Sequence, residues 1–172
     1  WQPDEDLFIE YFNQHPEVKL VIAPHVIDEN HLVEIIRKLK RPYVRYTRAD
    51  EKNVRKADCL IIDCFGLLSS IYRYGEIAYI GGGFGVGIHN TLEAAVYGIP
   101  VIFGPKYQKF QEAIQLLEAK GAFSVKDYEE LKTLLDRMLT DEVFLRESGM
   151  NASNYVTGNA GATDKIMSMI NF

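Results

Sequence analysis

Short runs of β-branched and apolar residues recur along this chain, spaced by amphipathic segments of helical period, and this alternation restricts the fold more than any other feature. The runs fall at residues 18–23, 43–46, 59–63, 77–80, 100–103 and 122–125. They are continuously apolar rather than alternating, the pattern of strands buried on both faces of a parallel sheet. Leu32, Ile35, Ile36 and Leu39 follow the i, i+3, i+4, i+7 rule, as do Phe110, Ala113, Ile114 and Leu117, then Leu131, Leu134, Leu135 and Met138. The alternation predicts an α/β fold, a Rossmann-like doubly wound parallel sheet of about six strands. Beyond Asp141 no further strand is predicted, and residues 141–172 hold two closing helices, at about 142–155 and 163–170. With 172 residues and no linker, repeat or low-complexity segment, residues 1–172 read as a single domain.

The charge balance narrows the partners. Nineteen Lys+Arg against 24 Asp+Glu give a net charge of −5, which argues against a domain built to grip phosphate backbones, so no nucleic acid partner is expected. Hydrophobic residues at 47% and charged residues at 25% exclude a disordered, collagen-like or coiled-coil chain. Runs such as Leu60-Ile61-Ile62 are far short of the roughly 20 residues that span a bilayer, and no signal-peptide pattern opens the chain, so it is expected to be soluble. Cys59 and Cys64 have no second pair and no histidine at ligand spacing; neither a zinc site nor a disulfide framework is indicated, and a reducing cytosol is the expected setting.

In such folds ligands bind outside the carboxyl ends of the strands. That directs attention to Pro24-His25 and to residues 63–68, 81–90 and 104–109. Residues 81–87 carry five glycines in seven positions, which lets the backbone take positive φ and lets a ligand approach closely. Two phosphate-loop patterns fail here. G-x-G-x-x-G meets Ile88 or Val86 where its third glycine belongs, and in G-x-x-x-x-G-K-[ST] Gly82 and Gly87 are followed by Ile88 and His89. A helix is predicted to start directly after the glycines, and unpaired N–H groups at a helix start suit a phosphate. His89 and Glu93 stand four apart and share a face of its first turn. Glu93 fits two roles: its carboxylate can accept both hydroxyls of a ribose, or it can close a capping box with Asn90. His89 by itself reads as a satisfied loop histidine.

Gly87-Ile88-His89-Asn90-Thr91-Leu92-Glu93-Ala94-Ala95, followed by Gly98-Ile99-Pro100-Val101 and Phe103-Gly104-Pro105, resembles the donor-side signature of 3-deoxy-D-manno-octulosonic acid (Kdo) transferases, G-G-H-N-x-L-E-P-A, P-V and F-G-P. Asp63-x-x-Gly66-x-Leu68 is similar to the D-T-x-G-E-L of that family, and Asn159-x-Gly161-Ala162 extends the match. The resemblance runs from about Leu20 onward. It implies the C-terminal half of a GT-B glycosyltransferase, with the N-terminal acceptor domain, its catalytic base and its contact with the cytoplasmic face of the bacterial inner membrane outside this chain. No catalytic residue is therefore expected here, and the chain alone is expected to be inactive.

The donor contacts that the resemblance implies are His25, Asp63, Phe65, Gly66, Gly85, Gly87, His89, Asn90, Leu92 and Glu93. Glu93 would meet the ribose of a cytidine monophosphate moiety, and Asn90 and the helix start would lie near its phosphate. The expected ligand is CMP-Kdo or CMP, with a lipid A precursor as acceptor on the other half. No cofactor or metal is expected, since backbone N–H groups can stabilise the leaving CMP. Departures from the pattern include these: no arginine follows Pro24, Cys64 replaces a threonine, Leu67 replaces the acidic residue, and Ala94 stands where the family has proline after the glutamate. By the same resemblance, Trp1 is expected to match the point just after the family's first strand of this half and its Gly-Ser turn. Two other classes remain open: the donor half of a UDP-sugar transferase or UDP-sugar 2-epimerase, and a non-catalytic α/β regulatory domain. The second needs acidic residues at the first strand end, where Pro24-His25 offers none. Lys106, Tyr107 and Lys109 fit either a sugar carboxylate or a solvated turn. Arg37, Lys38, Lys40, Arg41, Arg45 and Arg48 form the one basic cluster, read mainly as a solvated face.

Overall fold

The computed structural model describes residues 1–160. Each of the six apolar runs forms a strand: β1 (Leu20–Ile22), β2 (Tyr43–Arg45), β3 (Cys59–Ile61), β4 (Ala78–Ile80), β5 (Val101–Phe103) and β6 (Ala122–Ser124). The helices among the described residues are α1 (Gln2–Gln14), α2 (Glu29–Lys38), α3 (Glu51–Val54), α4 (Leu68–Ile71), α5 (Leu92–Ala95), α6 (Gln111–Glu118), α7 (Tyr128–Thr140) and α8 (Glu142–Asn159). The first closing helix is α8; the one expected at 163–170 lies outside the described residues.

Every strand pair is parallel, but the ladders form two half-sheets, ordered β1-β3-β2 and β4-β5-β6. No ladder joins β1 to β4 among the described residues. The bonding direction explains which groups face the seam between them. Leu20 N–H donates to Asp58 and Ile22 C=O accepts from Ile62, so both residues bond toward β3. Ala78 N–H likewise donates to Pro100, toward β5. Successive residues of a parallel strand bond to opposite sides, which turns the peptide groups of Val21 and Tyr79 to the seam. Val21 is 47% exposed, unusual for the middle of a strand in a covered sheet.

The core follows from this arrangement. Ile22 and Ile61 pack under Ile9 and Phe12 of α1 and Leu32 and Ile35 of α2. Ile80, Val101 and Phe103 face Ala94, Ala95, Ala113, Leu116 and Ala152. On its opposite face the second half-sheet presents Ile102 to Leu131 and Met138 of α7, with Leu7 and Phe8 of α1 beside them. Each large aliphatic or aromatic side chain so buried contributes about 1.5–3 kcal/mol. Helix α1 therefore packs on both half-sheets from one side. Its sequence did not announce it, because acidic residues occupy the inward positions of its first turn, as described below.

Capping fixes several helix starts. Asp28 accepts from the N–H groups of Asn30 and His31, Asp127 from Glu130, and Asp141 from Phe144. Helix α8 lies directly on backbone: a Cβ on Gly149 would meet the Gly98 oxygen at 2.1 Å, and one on Gly121 would meet Ala152 at 2.6 Å.

Candidate functional site

The glycine-rich loop leaves β4 at its carboxyl end and folds back on itself through Gly82. The Gly82 carbonyl accepts from Gly85 N–H at 2.9 Å and from Gly87 N–H at 3.1 Å. Gly82 sits at φ +95°, and a Cβ there would lie 2.2 Å from the Gly87 oxygen, so only glycine fits. Gly83 rests on Gly104, and its carbonyl takes the Lys106 N–H at 2.9 Å. The Lys106 ammonium donates to Gly85 C=O at 3.0 Å, which commits it to the loop. Tyr107 packs on Phe103 in the core. Gly87, at φ +126°, lies against the Phe110 ring.

The loop carries His89 to the end of β1. Its ring stacks on His25, which follows β1, with centroids 4.6 Å apart, and His25 stacks in turn on Trp1 at 5.3 Å. Trp1 Nε1–H donates to His89 Nε2 at 3.0 Å, so that nitrogen carries no proton. Burial, and next His25 across the stack, hold the His89 pKa below the usual imidazole value, which keeps the ring neutral near pH 7. The carboxyl ends of β1 and β4 thus meet through three aromatic rings. Beside them lies a depression of about 380 Å³ lined by Trp1, Gln2, His25, Val26, Asp28, Asn30, His31 and Glu34.

After His89 the chain makes a tight cap. Asn90 Oδ1 accepts from Leu92 N–H at 3.0 Å, and Asn90 Nδ2 donates to Glu93 Oε1 at 3.0 Å. The reciprocal capping box anticipated as one role of Glu93 is not formed: Glu93 is held by the Asn90 side chain rather than by its backbone. Leu92 turns inward against the core, while Glu93 stays half-buried. The helix expected here is a single turn, α5, because Gly98 at φ +71° and Pro100 stop it. Its dipole is correspondingly small, and since the Gly82, Gly85 and Gly87 N–H groups are engaged by Asp4 and the Gly82 carbonyl, an anion here would be met by the other amides of the loop. Glu93 also helps burial push the Tyr72 phenol up to about 12.

Against known proteins, no family model matches the chain. It is 36% identical over 135 residues to the 3-deoxy-D-manno-octulosonic acid transferase of Aquifex aeolicus, covering 77% of this chain and 37% of that protein. The chain belongs to the Kdo transferase family. A bifunctional glycosyltransferase/methyltransferase of Fusobacterium nucleatum is 27% identical over 164 residues, covering 89% of this chain and 26% of that protein. The C-terminal CMP-Kdo binding domain of WaaA from Acinetobacter baumannii shares the fold, with a TM-score of 0.77 at 18% identity, covering 91% of this chain and 84% of that one. The chain thus spans 37% and 26% of the length of these two curated relatives.

Other residues of the signature are placed apart from the His25–His89 stack. Asp63, expected beside the donor, has its carboxylate committed elsewhere: it accepts from Arg45 Nε at 2.8 Å, Thr47 N–H at 2.8 Å and Thr47 Oγ1 at 2.6 Å. Arg45 ends β2 and Thr47 follows it, on the far side of β3 from the seam. Burial pushes the Asp63 pKa up, but the Thr47 and Arg45 hydrogen bonds outweigh it and hold the value at about 2. Phe65 is 84% exposed, and Gly66, at φ +87°, has open space around it. Cys59 and Cys64 are free thiols, and burial pushes Cys59 up to about 12.

Three of the six residues of the basic cluster are paired with acids. Arg41 donates to the carbonyls of Phe12, His15 and Pro16 and pairs with Asp58; Lys38 pairs with Asp6; Arg45 bridges Glu29 and Asp63. The residues that sequence reasoning missed are on α1. Asp4 and Glu5 are 0% and 3% exposed, and Glu5 pairs with His31 at 2.9 Å. Asp4, Leu7, Phe8 and Tyr11 fit the same i, i+3, i+4, i+7 stripe, and an acid in that stripe was the available signal. Asp4-Glu5-Asp6 is the one Asp-x-Asp triplet, but its side chains diverge toward Gly82, His31 and Lys38 and do not converge as metal ligands would.

Proposed function

We propose that this chain is the donor-binding part of a glycosyltransferase that moves Kdo from CMP-Kdo to a lipid A precursor in lipopolysaccharide synthesis. The observation that supports it best is the His25–His89 stack, which ties the end of β1 to the glycine loop after β4, with Asn90 holding Glu93 directly after His89 in the chain. Such a transfer needs stabilisation of charge on the departing phosphate and activation of an acceptor hydroxyl. The chain supplies the first. Loop amides face the phosphate, the two imidazoles border it, and a Glu93 oxygen not engaged by Asn90 accepts from a ribose hydroxyl. No metal or other cofactor is assigned in this reading. The base that activates the acceptor, and the contact with the cytoplasmic face of the inner membrane, belong to parts of the enzyme outside this chain. Among the described residues no helix is long and apolar enough to cross a membrane.

Titration with CMP, UMP and UDP, followed by NMR or calorimetry, tests the proposal. Saturable binding that prefers CMP is expected. Glu93→Ala is expected to weaken CMP binding by about 1–3 kcal/mol, roughly 5- to 150-fold, with little change in melting temperature. Absence of saturable binding, or preference for UDP, overturns the donor reading. A lowered melting temperature with unchanged CMP affinity assigns Glu93 to the cap alone.

A further inference from the structure

We infer that Asp4, on α1, is the positioning residue that sets the conformation of the ligand-facing glycine loop, an inference that rests on the proposed reading only for the identity of the ligand. Asp4 is completely buried. Its Oδ2 accepts from Gly82 N–H at 3.1 Å, and its Oδ1 accepts from the Tyr79 hydroxyl at 3.2 Å. Both donors are neutral, and no cationic side chain pairs with Asp4 among the described residues. Burying a carboxylate costs several kcal/mol unless its bonds offset it, and the period of α1 calls for an apolar side chain at this position. A leucine would meet a packing role without that cost. A capping role would turn the carboxylate back on the first N–H groups of α1, whereas this one reaches a loop 78 residues along the chain.

The point it reaches is the hub of the loop. The N–H of Gly82 goes to Asp4, and its C=O holds Gly85 and Gly87, the turn that leads to His89. Rotating the Ile80-to-Gly83 backbone out of this arrangement would break the Asp4 bond together with the two amide bonds that close the turn. Asp4 thereby decides which way the amides of residues 85 and 87 point, while Trp1, three residues earlier, holds His89. The first turn of α1 is a bracket for the loop, and Asp4 is the part of it that grips backbone.

The test compares wild type, Asp4→Ala and Asp4→Asn by amide exchange at Gly82, Gly85 and Gly87 without ligand, and by CMP titration. Asparagine keeps both bonds, since its carbonyl accepts from Gly82 and its amide donates to the Tyr79 oxygen. The expected result is exchange at least tenfold faster and CMP binding at least tenfold weaker in Asp4→Ala, with Asp4→Asn within threefold of wild type on both. If Asp4→Ala does not fold, Asp4→Ser, whose side chain is too short to reach Gly82, takes its place. Unchanged loop exchange in Asp4→Ala below its melting point overturns the inference, as does an Asp4→Asn variant impaired as severely as Asp4→Ala. If wild type binds no CMP, the donor reading fails, and the exchange measurement alone decides the role of Asp4.

Discussion

Replacing Asp63 with asparagine should destabilise the fold at neutral pH and remove most of that loss in acid. In the folded chain the Asp63 pKa falls from 3.8 to about 2. At about 1.4 kcal/mol for each pH unit, the charged carboxylate contributes about 2 kcal/mol. The sign follows from proton binding. Below pH 4 the unfolded chain holds a proton on this group more tightly than the folded one, so protonation favours unfolding. The contribution is complete above about pH 5 and disappears as the pH falls toward 2. The substituted side chain also sets an amide donor against the Arg45 guanidinium, while Glu29 still compensates the arginine, so a loss of about 2–3 kcal/mol at pH 7 is expected. For a chain of this size that lowers the melting temperature by about 4–12 °C. Urea melts of both proteins at pH 7, 5, 3.5 and 2.5 measure the difference. A pH-independent gap, or a difference under about 0.5 kcal/mol at pH 7, would refute the assignment of Asp63 as the buried tie between the ends of β2 and β3.

Gly83→Ala places a Cβ 2.5 Å from the Gly104 backbone, so it is expected to cost about 1–3 kcal/mol and to displace the loop, read by thermal melting and by loss of CMP binding. Wild-type stability with intact binding would show that the two loops can separate freely. Hydrogen exchange at the Val21 and Tyr79 amides, which face the seam, should be at least tenfold faster than at Leu60 and Ile102, which lie in the central strands β3 and β5. Equal protection at the four sites would mean that the edges are paired in solution.

The strands and helices α2, α6 and α7 were legible because apolar residues alone create their periodicity, whereas α8 buries Ser148, Gly149 and Ala152 and runs on to Asn159, past the expected end near 155. Helix α1 was not, since its inner face gives two positions to carboxylates whose partners, Gly82 and His31, are remote in sequence. The glycine loop announced itself by composition, and Glu93 by its spacing from Asn90. The Asp63–Arg45 pair could not be read in advance, because it exists only once β2 lies beside β3 in register, with Arg45 opposite Ile61. The same holds for the His25–His89 stack, which joins the ends of two strands from different half-sheets. Lys106 looked like a free cation in a turn and instead closes on Gly85, a choice made by the backbone path of the neighbouring loop.

The seam between β1 and β4 bears on cooperativity. Each half-sheet has its own buried cluster, and α1 contributes Ile9 and Phe12 to one and Leu7 and Phe8 to the other. Thermodynamically the molecule is two potential folding units whose coupling free energy runs in large part through one thirteen-residue helix. Weakening that helix should then split a single denaturation transition into two, each with a smaller denaturant slope than the whole. A ligand that touched both His25 and His89 would act in the opposite sense, adding its binding energy to the coupling and making the two units melt as one.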